Sequence, residues 1–323
     1  MQKQTEIHLF LGMSVVVTIS TFAVCVLLSS TKTEELFPHI RGHLCADWTG
    51  RLGNIMFQYA SLYGIAQRND MVFAIHKFDD INYSFDNLFA LKLKNKSICE
   101  YAQIWGENEP CLYDENAANV PANLNVKHVS LLQSWKYFSH VEQAIRTQFK
   151  FKEEFETKCL QVLNETIIEW TSNHSSVPQD KLQIVGIHIR RGDYLDKGKI
   201  KYGYRTASAD YINKSMNYFR DKFKHVLFLA YTAHNWKDML WRETHVVGSD
   251  VVLMHMNSPE VDMCVLSKCN HSIITVGSFG WWAAWLANGT TIYYKDMAKN
   301  NSEYRKDFSA DMTDYFYPGW IGF

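Results

Sequence analysis

The run Val185-Gly-Ile-His-Ile-Arg-Arg-Gly-Asp-Tyr194 is an apolar, strand-like pattern that ends in His188, Arg190, Arg191 and Asp193. Guanidinium forks pair bidentately with phosphate oxygens, so a strand delivering two cations and a carboxylate to its C-terminal edge suits a phosphorylated ligand. In extended geometry Gly186, His188 and Arg190 share one face while Ile187 and Ile189 pack on the other. Gly192 lets the backbone turn, and Asp193 is placed to pair with Arg191 or to accept a bond from His188. A structural ion-pair turn is the competing reading. A second segment, Thr275-Val-Gly-Ser-Phe-Gly-Trp-Trp-Ala-Ala284, has the order strand, glycine turn, helix, in which free backbone amides bind phosphate or ribose oxygens. Ser278 adds a hydroxyl and Phe279 a surface for a base or sugar edge; a plain helix cap over an aromatic core is the alternative. The segment lacks a P-loop lysine and the dinucleotide Gly-x-Gly-x-x-Gly spacing, so neither ATP hydrolysis nor NAD chemistry is indicated.

These groups need a scaffold. Short apolar runs at 184–189, 226–230, 251–254, 272–276 and 291–294 suit buried strands, and helical patterns fall at 209–219, 260–268 and 281–286. Such alternation predicts a mostly parallel sheet covered by helices, with ligands beyond its C-terminal strand ends. Earlier, a glycine-rich turn at Gly50-Arg-Leu-Gly-Asn54 opens a helix whose apolar residues (Leu52, Ile55, Met56, Tyr59, Leu62, Tyr63, Ala66) recur every three or four positions. A strand is expected at 71–75, so Arg51 and Asn54 sit at the helix mouth. The region 78–180 is aromatic with weaker periodicity; a helix is expected over 141–155, and the polar stretch 171–178 is the best domain boundary.

Residues 9–28 are uncharged and mostly apolar, and at about 1.5 Å per residue they are long enough to cross a bilayer core of about 30 Å. They read as a retained signal anchor rather than a cleaved peptide, because the run exceeds an ordinary h-region. Eight Asn-x-Ser/Thr triplets, at Asn82, Asn95, Asn164, Asn173, Asn213, Asn270, Asn288 and Asn300, favour a lumenal body. Six cysteines lie outside the anchor: Cys45, Cys99, Cys111, Cys159, Cys264 and Cys269. Sequence does not choose among their pairings. Cys99 with Cys111 and Cys264 with Cys269 close the shortest loops, and six reduced thiols remain the alternative. Neither a Cys-x-x-Cys nor a Cys/His cluster suggests zinc. A formal net charge of -1 argues against nucleic acid as a partner.

Four segments in order, Gly50-Arg-Leu-Gly-Asn-Ile-Met-Phe-Gln-Tyr-Ala60, His188-Ile-Arg-Arg-Gly-Asp-Tyr194, the run from Cys269 to Trp285, and Phe316-Tyr-Pro-Gly-Trp320, resemble the signatures of the galactoside α1,2-fucosyltransferases, glycosyltransferase family 11. Ile55 departs from the glutamine that often follows Gly-Asn there. The resemblance implies an α/β, GT-B-like fold with two facing Rossmann-like domains after the anchor, divided as tail 1–8, anchor 9–28, stem 29–44, acceptor-side domain 45–180 and donor domain 181–323. It implies GDP-β-L-fucose as donor, inverting transfer to the 2-hydroxyl of a terminal galactose on a glycan, and a single-pass type II Golgi enzyme; a protein O-fucosyltransferase or other-linkage fucosyltransferase, and a non-catalytic membrane-tethered glycan-binding protein, are the competing readings. No cofactor and no essential Mg²⁺ or Mn²⁺ are expected. By resemblance Arg190 holds the β-phosphate, with His188 and Asp193 completing the catalytic set. Asn54, Arg191, Asp262, Ser278 and Phe279 join Arg190 in binding the donor, Arg191 as the more structural of the two arginines.

Overall fold

The computed structural model describes residues 41–323 apart from Lys96 and His234; the expected tail and anchor, and the stem through residue 40, lie outside the described residues. Among the described residues no helix is long and apolar enough to cross a membrane.

Two parallel sheets carry the chain. The first is built from β1 (His43–Ala46), β2 (Val72–His76), β3 (Leu91–Leu93), β4 (Gln103–Trp105) and β5 (Val126–His128), in the order β3-β2-β1-β5-β4, with α1 (Leu52–Arg68) between β1 and β2. Helix α2 (Glu153–Asn173) leads to the second sheet, formed by β6 (Gln183–Ile189), β7 (Val226–Thr232), β8 (Val251–Leu253), β9 (His271–Ile274), β10 (Thr291–Tyr293) and β11 (Ile321–Gly322) in the order β11-β10-β9-β6-β7-β8. Its helices are α3 (Ala209–Lys222), α4 (Trp236–His245), α5 (Pro259–Ser267) and α6 (Ser278–Ala287). Every strand pairing in both sheets is parallel.

The second sheet reverses its winding direction once: the chain runs outward from β6 through β7 to β8, then returns to place β9 on the other side of β6. Loops diverge at such a point and leave a crevice at the strand ends. In the first sheet the chain crosses from β3 to the far edge at β4 and comes back to place β5 beside β1. Residues after β6 and β9 line one cleft together with residues after β1 and β5.

The five expected strands of the second half and its three helices are all present, with ends displaced by a few residues. The helix expected over 141–155 is instead two helices, Glu142–Gln148 and α2. Phe149 and Phe151 turn inward between them, their rings 4.9 and 5.1 Å from that of Phe85, and Phe151 bridges to Phe85. Burial of two aromatic rings outweighs continuation of the helix there.

The cysteines also pair otherwise than by shortest loop: Cys45 bonds Cys99 and Cys159 bonds Cys264, leaving Cys111 and Cys269 as buried thiols. Cys159 on α2 faces Cys264 on α5 because those two helices pack together, a proximity created by tertiary structure and not by separation along the chain.

An aromatic core joins the halves. Trp281, Trp282 and Trp285 of α6 are buried, and Phe57 of α1 lies 4.6 Å from Trp281 and 5.0 Å from Trp282. Large rings of this kind dominate burial energetics, so replacing one with alanine costs about 3–5 kcal/mol. The close packing of α1 on α6 brings their N-termini to the same place.

Candidate active site

A cleft of about 1280 Å³ opens where the C-terminal ends of β6 and β9 meet the loops after β1 and β5. His188, Arg190, Asp193, Asn54, Asp262, Ser278 and Phe279 all line it. Residues far apart in sequence thus share one wall.

Arg190 is fixed from both ends. Its backbone N–H donates to Thr275 Oγ1 at 2.8 Å, and Thr275 Oγ1 in turn donates to the His188 carbonyl at 3.3 Å, tying the end of β6 to the residue after β9. Its guanidinium is salt-bridged to Asp193 through Nη2, the Arg190 side chain being 25% exposed and Asp193 48%. The expectation that Asp193 pairs with Arg191 or His188 is therefore corrected: the short helical turn Gly192–Leu195 carries its carboxylate back over Arg190. One Nη of Arg190 is held by Asp193, and the residue lines the cleft.

Arg191 points elsewhere. Its guanidinium lies 4.2 Å from the Trp241 ring and donates to the Ala207 carbonyl at 3.1 Å, and it is absent from the cleft wall. Both arginines follow the end of β6 at Ile189, and the backbone at Arg191 (φ -128°, ψ -76°) has left extended geometry where its side chain turns from the cleft. The structure gives Arg191 packing contacts away from the cleft wall in place of the expected donor contact, in keeping with its being the more structural of the two arginines.

His188 is half-buried, with its ring 5.1 Å from that of Phe279 and its Nδ1 shut off from solvent without a hydrogen-bond partner. A Cβ on Gly280 would stand 2.6 Å from that nitrogen, so the imidazole is wedged against the first turn of α6. Burial, with the Arg190 charge adding to it, pushes the imidazole down to about 3, so the ring is neutral at physiological pH.

Asn54 joins the two halves. Its Oδ1 accepts from Ser278 Oγ at 2.5 Å and from Gln133 Nε2 at 2.9 Å, which leaves its amide NH₂ as the group not used in this pair of bonds. Gln133 follows β5 and carries no motif that marks it in the sequence. Another residue missed by sequence reading is Asp238, whose buried carboxylate accepts from the Gly192 N–H at 2.7 Å and from Asn235 Nδ2 at 2.7 Å, holding the turn that carries Asp193.

The helix starts explain the site's electrostatics. Helices α3, α4 and α5 begin at Ser208, Asn235 and Ser258, whose side chains cap the first turn. Helices α1 and α6 begin at Arg51 and Gly277, with neither a side-chain cap nor an acidic residue in the first turn. Gly277, at φ 89°, takes a left-handed backbone that glycine alone adopts without strain. Two uncapped N-termini and one guanidinium thus converge on the cleft, a combination that attracts anions.

Farther along, Asp262 at the start of α5 accepts from the Asn257 N–H at 3.0 Å and Asn257 Nδ2 at 3.2 Å, and burial pushes its carboxyl up to about 6. The buried Tyr231 hydroxyl has no hydrogen-bond partner. Asp80 is exposed and lines the cleft, while Asp79 Oδ2 accepts from the His76 N–H. Among the described residues, no group of three or more His, Cys, Asp or Glu side chains is gathered as a metal site would need.

A crevice shared by two parallel α/β layers, with a fixed arginine and two uncapped helix N-termini in its wall, suits a phosphate-linked ligand. The chain belongs to glycosyl transferase family 11, whose family model matches residues 7–323. Similar curated proteins include galactoside alpha-(1,2)-fucosyltransferase 1 of Bos taurus, 29% identical and covering 88% of this chain and 76% of that protein. The protein of that name from Sus scrofa is 28% identical, covering 90% of this chain and 79% of its own length. In fold, the chain resembles the crystal structure of the fucosyltransferase NodZ from Bradyrhizobium, with a TM-score of 0.50 and 14% identity over 82% of this chain and 98% of that one.

Proposed function

We propose that this protein transfers L-fucose from GDP-β-L-fucose to the 2-hydroxyl of a terminal galactose, with inversion, forming an α1,2 linkage. The observation that carries this reading is Arg190, its guanidinium held by Asp193 and its backbone N–H by Thr275, where two uncapped helix N-termini meet. Membership of a family whose named relatives are galactoside α1,2-fucosyltransferases supports it.

The chemistry follows from charge. As the bond between fucose and the β-phosphate stretches, negative charge grows on the leaving diphosphate, and Arg190 gains interaction energy selectively in the transition state. The amides at the starts of α1 and α6 add fixed partial positive charge. Asn54 contributes its NH₂ to the donor sugar or phosphate, Ser278 and Phe279 contact the GDP moiety, and Asp262 binds on the nucleoside side. Asp193 and His188 orient the arginine. Positive character on the sugar ring makes the anomeric carbon receptive to a hydroxyl without a separate strong base. These groups supply the charge compensation, so the donor needs no essential divalent cation.

In this reading the two layers form a GT-B-like pair, with 181–323 holding the donor and loops of 45–180 closing the acceptor side of the shared cleft. Residues 9–28 anchor the enzyme as a type II Golgi protein with a lumenal body, a reading supported by the sequons and by the apolar run itself. Protease protection of the tagged body in sealed microsomes tests that orientation.

The deciding experiment is incubation of the lumenal domain with GDP-fucose and a panel of galactosides, followed by mass and linkage analysis. A new fucose at position 2 of galactose is expected, and it persists in EDTA. Hydrolysis alone, or transfer to serine or threonine, overturns the assignment.

A further inference from the structure

The cleft has a second arm for which the donor reading has no use. It leaves Arg190 on the side of β6 opposite to Asp262. Tyr194 lies beside the guanidinium at 5.9 Å, Tyr204 meets Tyr194 edge-on at 4.7 Å, and Tyr304 stacks behind Tyr204 at 3.7 Å. Tyr204 bridges to Ala298, beyond β10, whereas Asp262 and Tyr231 belong with β7 and β8. At the outer end stands Tyr202, 41% exposed, its hydroxyl 3.4 Å from Oδ1 of Asp307, a residue only 8% exposed that lines the cleft. Loops of the first sheet close the arm: the Cys111 N–H donates to the Asp307 carbonyl, and Cys111 bridges to Phe308.

We propose that this tyrosine-lined arm is the acceptor subsite, in which a neutral pyranose lies against Tyr202, the ring of the arm left exposed, and donates hydroxyl hydrogen bonds to Asp307, while Tyr304 and Lys199 cover Tyr204. This rests on the fucosyltransferase reading and names where its acceptor binds. Three observations favour a sugar over the nucleoside. First, the arm carries a buried carboxylate on which Glu109 and Glu303 act against the single Lys199, a net acidic field that opposes a diphosphate but suits a polyhydroxylated neutral ring. Second, aromatic faces offer the apolar C–H side of a pyranose a surface, while a carboxylate accepts from its hydroxyls. The Tyr202–Asp307 contact is long for a hydrogen bond between oxygens, so a sugar hydroxyl displaces little in taking it. Third, the wall begins one ring away from the phosphate-facing arginine and ends at an exposed tyrosine, so a terminal sugar reaches the reaction centre while the rest of its glycan stays in solvent.

The test is steady-state kinetics of the lumenal domain with Asp307→Asn, Tyr202→Ala and Tyr202→Phe, each checked for a wild-type thermal melt. Loss of a charged acceptor raises acceptor KM by about 10-fold or more in Asp307→Asn. Tyr202→Ala raises it similarly and Tyr202→Phe restores it, while KM for GDP-fucose stays near wild type in all three. A rise in donor KM instead, or an unchanged acceptor KM, overturns the subsite. Saturation-transfer NMR of methyl β-galactoside on the GDP-loaded protein reads the same site without turnover. Loss of that signal in Asp307→Asn supports the subsite even if wild type transfers no fucose, an outcome that sinks only the fucosyltransferase reading; retention of the signal overturns the subsite.

Discussion

Ser278 Oγ donates to Asn54 Oδ1 across 2.5 Å, a single bond that links the first turn of α6 in one sheet layer to the first turn of α1 in the other. Asn54→Asp keeps an acceptor for Ser278 and Gln133 but replaces the NH₂ with an anionic oxygen where the donor phosphate lies. We expect a folded protein with a melting temperature near wild type and kcat/KM for GDP-fucose down by about 100-fold, by analogy with loss of one oxyanion donor. Calorimetry and initial-rate kinetics on the same preparation check it.

Replacement of Arg190 by alanine removes the group that meets the leaving charge, with an expected loss of about 2.7–4 kcal/mol in transition-state stabilisation, or about 100- to 1000-fold in kcat. Arg190→Lys retains charge without the fork that bonds Asp193 and phosphate together, so it falls between alanine and wild type. GDP binding by titration calorimetry separates ground-state from transition-state loss.

Arg191→Ala has the opposite signature. The stack on Trp241 and the bond to the Ala207 carbonyl disappear, lowering stability by about 1–2 kcal/mol, while donor KM changes less than 3-fold. A urea melt paired with donor kinetics distinguishes the two arginines.

With Asp262 on the nucleoside side of the proposed donor site, it is expected to set the pH dependence of donor use. Its carboxyl is pushed up to about 6 by burial, against which the Asn257 bonds act; it is charged at pH 7 and becomes neutral as pH falls through that value. Loss of an anionic acceptor weakens binding of a nucleoside N–H, so kcat/KM for GDP-fucose, measured at saturating acceptor, declines below about pH 6, and Asp262→Asn removes that limb. His188, held near 3, contributes no limb between pH 5 and 8.

Reduction of the Cys159–Cys264 bridge, or Cys159→Ser, frees α2 from α5 and costs about 2–5 kcal/mol. Differential scanning fluorimetry with and without reductant reads it as a lowered melting temperature.

The second half of the fold was legible because its apolar runs alternate with helices and include two seven-residue strands, Gln183–Ile189 and Val226–Thr232. In the first half, β3, β4 and β5 have three residues each, and Lys92, Gln103 and Lys127 break their apolar character. Motif residues such as Arg190 and Ser278 announced themselves through unusual local chemistry. Gln133, Asp238 and Asp307 did not, because each acts through a partner 46 to 196 positions away (Asn54, Gly192 and Cys111) and has an ordinary neighbourhood in sequence. The disulfides failed for the same reason.

At Gly53, an added methyl would stand 2.6 Å from the Phe279 backbone nitrogen and 2.7 Å from the Ser278 carbonyl carbon. That hydrogen atom is the spacer between the two layers, so even alanine acts as a wedge that pries one helix mouth from the other. Nucleotide grip and acceptor reach then fail together, through a residue that need touch neither ligand.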